Sequence, residues 1–194
     1  MSPAQRVLTH ALRQDRLLGR GRLVCIDGPA GSGKTTLGQD VADTTAPDRS
    51  VALIHLDDMY GGWEQDLSQV GPILLETLVA PLATGLPAGF QRYDWLTSEY
   101  AEWVPVPPSD LVILEGVGAG NPVLAEYRAT LAWVEAAPAL CLARGLARDG
   151  EGMRGHWLDW QRRETDYFER FAVADQADVV VDTSAQGAPE GPLH

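Results

Sequence analysis

The residues Gly28-Pro29-Ala30-Gly31-Ser32-Gly33-Lys34-Thr35 fit the spacing G-x-x-x-x-G-K-[ST] at every fixed position. Glycines at those places let the backbone curl so that successive N–H groups turn toward one point, and the helix that follows adds its positive end. A lysine and a hydroxyl closing such a loop suit the β- and γ-phosphates of ATP and the accompanying Mg2+. The expected nucleotide-binding set is therefore Gly28, Ala30, Gly31, Ser32, Gly33, Lys34, Thr35 and Thr36, with Thr35 also on the metal. Lys34 is the only lysine in the chain, every other strong base being arginine. A composition that avoids lysine elsewhere keeps one where a compact ammonium is wanted.

Two acids, Asp57 and Asp58, follow the apolar run Val51 to Leu56, and Glu115 closes Val112-Ile113-Leu114. A carboxylate beside the γ-phosphate can orient an attacking hydroxyl and take its proton, a role open to either member of the first pair. Alternate residues of a strand face opposite ways, so only one of two adjacent acids at its end points readily at the loop. Glu115, at the end of an apolar strand, is placed to hold magnesium, usually through water because that ion keeps much of its hydration shell. Asp27, directly before the loop, either joins this set or braces the loop.

Arg144 and Arg148 lie four apart on one helical face, ahead of the glycine-rich stretch Gly150 to Gly155 with Arg154. Guanidinium groups closing over the phosphates would stabilise charge in the transition state and keep water out, so residues from about 144 to 156 are read as a lid. The alternative is a solvated helix face whose arginines pair with Asp149 and Glu151.

Positioning these groups takes buried strands alternating with helices. Pro3 to Leu18 is predicted as an amphipathic helix, Leu23 to Asp27 as the first strand, Lys34 to Thr44 as the helix after the loop, and Val51 to Leu56 as the second strand. Val70 to Leu82 has helical spacing, with Pro72 setting its start and Pro81 its end. Leu111 to Val117, Leu131 to Glu135 and Val179 to Asp182 complete five buried strands, which implies an α/β fold with a parallel sheet covered on both faces. The ligand crevice of such a sheet lies beyond the carboxyl ends of its strands, where the motifs fall. Between them, about residues 85 to 108 read as a hairpin-like insertion, with extended pieces at Phe90 to Trp95 and Glu102 to Val106. Half of the chain's aromatic residues fall between Tyr60 and Trp103, as a platform for a flat acceptor or a small aromatic core. The last dozen residues read as a frayed tail.

At 194 residues the chain suits one domain, and its 45% hydrophobic and 22% charged residues are those of a folded protein. A formal charge of -12 argues against nucleic acid or a phospholipid surface as partner, since both are polyanions that bind through clustered Lys and Arg. Arg6, Arg13, Asp15 and Arg16 interrupt the N-terminal segment before a signal sequence can form, so a cytoplasmic protein is expected. Cys25 and Cys141 have no metal or disulfide spacing, and His10, His55, His156 and His194 are read as structural. A guanine-reading Asn-Lys-x-Asp element would need a second lysine, which excludes that GTPase signature.

With these residues placed, the stretch from about Leu23 to Asp182 resembles the uridine kinase-like branch of P-loop kinases, which includes pantothenate kinase and phosphoribulokinase. The likeness rests on the loop, on Leu56-Asp57-Asp58-Met59-Tyr60, on Arg92-Tyr93-Asp94-Trp95, on Pro108 to Gly116, on Arg144 to Asp149 and on Ala177 to Val181. It implies a three-layer P-loop sandwich with strand order 2-3-1-4-5, Asp57 as catalytic base with Lys34, Arg144 and Arg148 assisting, and Asp58, Tyr60, Tyr93, Asp94 and Trp95 near a small-molecule acceptor. The implied activity is transfer of the γ-phosphoryl group of ATP to a hydroxyl, with uridine or cytidine as first acceptor. Gly61 to Asp66 lacks the ribose-gripping pattern of uridine kinases, and no histidine lies between His55 and His156 to read a base. A non-nucleoside alcohol or acid, or a nucleotide-binding regulator without acceptor chemistry, are the alternatives.

Overall fold

Strand β1 (Arg22–Asp27) carries apolar side chains on both sides because both sides of its sheet are covered. Leu23 and Cys25 point into one core, and Val24 and Ile26 point into the other. The same alternation runs through β5 (Leu111–Glu115) and β6 (Arg128–Glu135), whose Val112, Leu114, Leu131 and Trp133 share the first core while Leu111, Ile113, Ala132 and Val134 share the second. Each fully buried leucine or isoleucine contributes about 1.5–3 kcal/mol of burial energy. The structure, a computed structural model, describes residues 1–185; most of the predicted tail lies outside the described residues.

The parallel sheet adds β2 (Val51–His55) and β7 (Val179–Asp182), in the order β2-β5-β1-β6-β7. Numbered within this sheet alone, that is 2-3-1-4-5. Its register aligns His55 with Glu115, Ile26 with Glu115 and Asp27 with Trp133, so Asp27 and Glu115, the acids that end β1 and β5, meet along one edge with His55, which ends β2. The antiparallel hairpin β3 (Ala88–Asp94) and β4 (Glu99–Val106) stands outside the sheet.

Helices α1 (Pro3–Arg13) and α2 (Lys34–Thr44) cover the second core. Ser2 caps α1 through a reciprocal pair with Gln5, and Pro3 fills the first helical position, where a missing N–H costs nothing. This helix ends at Arg13 rather than Leu18, because Leu18 turns back to pair with Gly21. Helices α3 (Leu67–Leu74), α5 (Pro138–Asp149) and α6 (Arg154–Phe171) lie on the opposite side of the loop region, and a short α4 (Ala80–Ala83) follows a π-helical stretch over Leu75–Val79. Pro72 does not start its helix; Asp66 does, accepting the Ser68 N–H, and Pro72 sits inside. Pro81 falls within α4 instead of ending the run, and just before it the Ala80 N–H reaches five residues back to the Leu75 carbonyl. Among the described residues no helix is long and apolar enough to cross a membrane.

Candidate active site

Between β1 and α2 the chain makes the predicted glycine-rich turn, packed hard against its neighbours. A Cβ on Gly28 would lie 2.0 Å from the Val134 carbonyl oxygen, and one on Gly31 would lie 2.4 Å from that of Cys141. Gly31 also has φ +80°, the left-handed region that side chains disfavour. Asp27, fully buried, accepts N–H groups from Gly28 at 2.7 Å, Gly120 at 2.7 Å and Gly118 at 3.1 Å, so its carboxylate ties the loop to the segment after β5. Burial pushes its pKa up to about 6, against those N–H donors and Lys34. Of the two roles open to Asp27, bracing the loop is the one its geometry fills.

Lys34, at the start of α2, is buried and curls over the loop, its Nζ donating to the carbonyls of Gly28 at 2.9 Å and Pro29 at 2.8 Å. Arg144 and Thr183 hold the loop from its flank. Thr183 Oγ1 donates to the Ser32 carbonyl at 2.7 Å, and Arg144 donates to Thr183 Oγ1 at 3.0 Å and to the Gly31 carbonyl at 3.3 Å. Arg144, read as a lid residue, thus also touches the loop itself, and Thr183, only 5% exposed, packs against the loop where the sequence pattern predicts a frayed tail.

Across the loop, Glu115 is buried and its Oε1 accepts from Thr35 Oγ1 at 3.1 Å and from His55 Nδ1 at 2.5 Å. The carboxylate raises the pKa of His55. Hydroxyl and carboxylate are hard oxygen donors, and magnesium needs few of them from the protein, so Thr35 and Glu115 fit that ion. Ser32 adds a buried Oγ that has no partner among the described residues. Asp57 and Asp58 stand in a single 3-10 turn after β2. Asp57 is exposed at the surface, with enough protein packed around it to desolvate its carboxyl. Its pKa is raised by burial first, then by Glu115 and Asp58, with Lys34 and Arg148 opposing. Asp58 is also raised, chiefly by burial, with His55 and Arg92 opposing.

The acceptor candidates divide. Trp95, in the turn after β3, donates its indole N–H to the Asp57 carbonyl at 2.9 Å, which fastens the hairpin to the acidic turn. Tyr93 packs edge-on against Trp95 and Tyr100, and Asp94 caps the hairpin turn through the N–H groups of Leu96 and Thr97. Tyr60 instead is buried in the core, its hydroxyl donating to the Val117 carbonyl at 2.6 Å, so it supports the site from below and offers no free hydroxyl to an acceptor. Arg148 pairs with Asp149 and lies over the Trp157 ring, close enough for its charge to act on Asp57. Arg154 pairs with Glu151 at the surface. A groove lined by Asp66, Arg163 and Arg170 runs along the outer side of α6 and includes none of the loop residues.

Three functional groups escaped the pattern of the sequence. His55 reaches Glu115 only because the sheet pairs them across strands. Trp63, beyond the acidic turn, is a hub on which Trp95, His156, Trp157 and Trp160 all pack. Glu164 of α6, only 3% exposed, accepts the Ala30 N–H of the loop at 2.9 Å.

No protein-family model matches the sequence, and no curated protein does. Among solved structures, the chain is similar to one described as a possible uridine kinase from Bacillus stearothermophilus, at 20% identity over 93% of this chain and 97% of that one, with a TM-score of 0.66. It is also similar to one described as a fructose transport system kinase from Silicibacter sp. TM1040, at 16% identity over 93% of this chain and 98% of that one, with a TM-score of 0.55. Likeness at these identities is a likeness of fold: the chain shares with these structures a three-layer α/β sandwich built on a five-stranded parallel sheet, with the glycine-rich loop after its first strand.

Proposed function

We propose that the chain is an ATP-dependent phosphotransferase that moves the γ-phosphoryl group to a hydroxyl of a small molecule. The observation that carries this reading is the convergence of Lys34, the Thr35–Glu115 pair and Asp57 at the mouth of one glycine-rich loop. A protein that only binds nucleotide has use for the first two and none for an acid with a raised pKa beside them.

In this reading the N–H groups of Gly31 to Thr36 bind the phosphates, and Lys34 leaves the Gly28 and Pro29 carbonyls for them. Thr35 and Glu115 would hold the magnesium ion, which supplies neutralising charge to the phosphate oxygens. Asp57 orients the acceptor hydroxyl and takes its proton; a raised pKa makes it a stronger base, and the nearby charges of Lys34 and Arg148 keep it ionised. Arg148 answers charge that develops in the transition state, while Arg144 keeps the loop in shape. Trp95, Tyr93, Asp94 and Asp58 border the acceptor, with a nucleoside such as uridine or cytidine as the first class to try.

The test is acceptor-dependent ADP release over nucleosides, sugar acids and pantothenate, repeated with Asp57→Asn and Asp58→Asn. Loss of a positioned base costs about 10² to 10⁴ in kcat, and loss of a neighbouring acid little. Asp57→Asn should fall in that range and Asp58→Asn stay near the unaltered protein. The reverse pattern moves the role to Asp58, and ATP binding without turnover on any acceptor favours a nucleotide-binding regulator.

A further inference from the structure

The buried face of α6 is Trp157, Trp160, Glu164 and Tyr167. An acid among three aromatic rings is a costly choice, because an apolar side chain would fill the volume without desolvating a carboxyl. What Glu164 gains there is specific. Its Oε2 accepts the Ala30 N–H at 2.9 Å, 134 residues away in sequence. Ala30 sits at the outer turn of the loop, between the Asp27 brace at Gly28 and the Arg144 and Thr183 brace at Gly31 and Ser32. Lys34 holds the neighbouring Pro29 carbonyl, and among the described hydrogen bonds Glu164 is the side chain that holds Ala30 itself.

We propose that Glu164 is a positioning residue for the phosphate loop, fixing Ala30 so that the N–H groups from Gly31 to Thr36 face a single bound phosphate chain. This rests on the nucleotide reading above. The geometry has a consequence for protons. The groups that face Glu164 are Lys34 and the Ala30 N–H from the loop, Asp27 from β1, Tyr60 after β2, Cys141 from α5 and Trp160 on α6. Burial raises its pKa to about 7, with Lys34 and the Ala30 N–H opposing and Asp27 adding. Incoming phosphates are negative and favour the neutral acid, which still offers a carbonyl oxygen to Ala30. Nucleotide binding therefore draws a proton onto Glu164, and affinity falls as pH rises through about 7.

The experiment titrates Mg-ATP calorimetrically into the full chain, in two buffers of different ionisation heat, with Glu164→Gln and Glu164→Leu alongside. Glu164→Gln keeps an acceptor for Ala30 and should bind within about twofold of the unaltered protein near pH 7, with the proton uptake gone and the affinity flatter between about pH 6 and 8. Glu164→Leu removes the acceptor, leaves the Ala30 N–H unpaired and should bind about tenfold more weakly, as expected for one lost hydrogen bond. A folded Glu164→Leu with full affinity overturns the positioning role. Unchanged proton uptake in Glu164→Gln places the proton elsewhere and overturns the linkage, and this comparison decides the matter if the leucine variant fails to fold. Failure of the unaltered protein to bind Mg-ATP is a distinct result that overturns the nucleotide reading itself.

Discussion

Behind the phosphate loop Asp27, Glu164 and Thr183 are buried and Arg144 is half-buried, and each reaches a backbone group: Asp27 holds Gly28, Glu164 holds Ala30, and Thr183 with Arg144 holds Ser32 and Gly31. On the acceptor side the supports are rings on rings, and they stand near water. Trp95 is 38% exposed and Tyr100 is 54% exposed, and both belong to a hairpin that shares no ladder with the main sheet. A phosphate chain is the same in every turnover, so donors fixed in advance need no reorganisation at the moment of reaction. An acceptor must enter and leave, which favours elements that open at low cost. On the proposed function, that difference would place rigidity at the nucleotide and selectivity at the hairpin.

The largest effect that would sharpen this contrast is on the rigid side. Gly31→Ala places a Cβ 2.4 Å from a carbonyl oxygen at a φ of +80°. The expected strain is about 1–3 kcal/mol, seen as a lower denaturant midpoint together with weaker Mg-ATP binding. Unchanged stability and affinity would show that the loop is not held against α5 as tightly as its packing implies.

A smaller effect should appear on the other side. Trp95→Phe keeps an aromatic ring but removes the indole N–H that reaches the Asp57 carbonyl. The loss of one neutral hydrogen bond, about 1 kcal/mol, predicts a change of roughly fivefold in kcat/KM for the acceptor, with Mg-ATP affinity unmoved. Equal losses for both ligands would break the division between the two regions.

What was legible in the sequence follows the same division. The loop, the helix Lys34–Thr44 with its bounds and the five buried strands come from local patterns, a motif and apolar runs of strand length, whereas the order of those strands comes from the family resemblance. Tyr60 was misplaced because a residue just past a strand end gives no local sign of whether it turns outward or, as it does, back under Val117. His55, Thr183 and Glu164 carry no motif, and their roles arise from contacts 60, 151 and 134 residues apart. Arg144 and Arg148 look alike at four-residue spacing, yet only the fold shows one bonded to the loop and the other turned toward Asp57.

The most direct test of the account is the affinity for Mg-ATP of the unaltered protein and of Lys34→Ala, measured beside their thermal unfolding. Among the described hydrogen bonds Lys34 donates to the two loop carbonyls, so its contribution should be to the ligand far more than to the fold. The account predicts binding by the unaltered protein, a loss of about 10- to 100-fold in Lys34→Ala, and nearly the same unfolding midpoint for both. Equal affinity in the two proteins, or no binding by either, would contradict it.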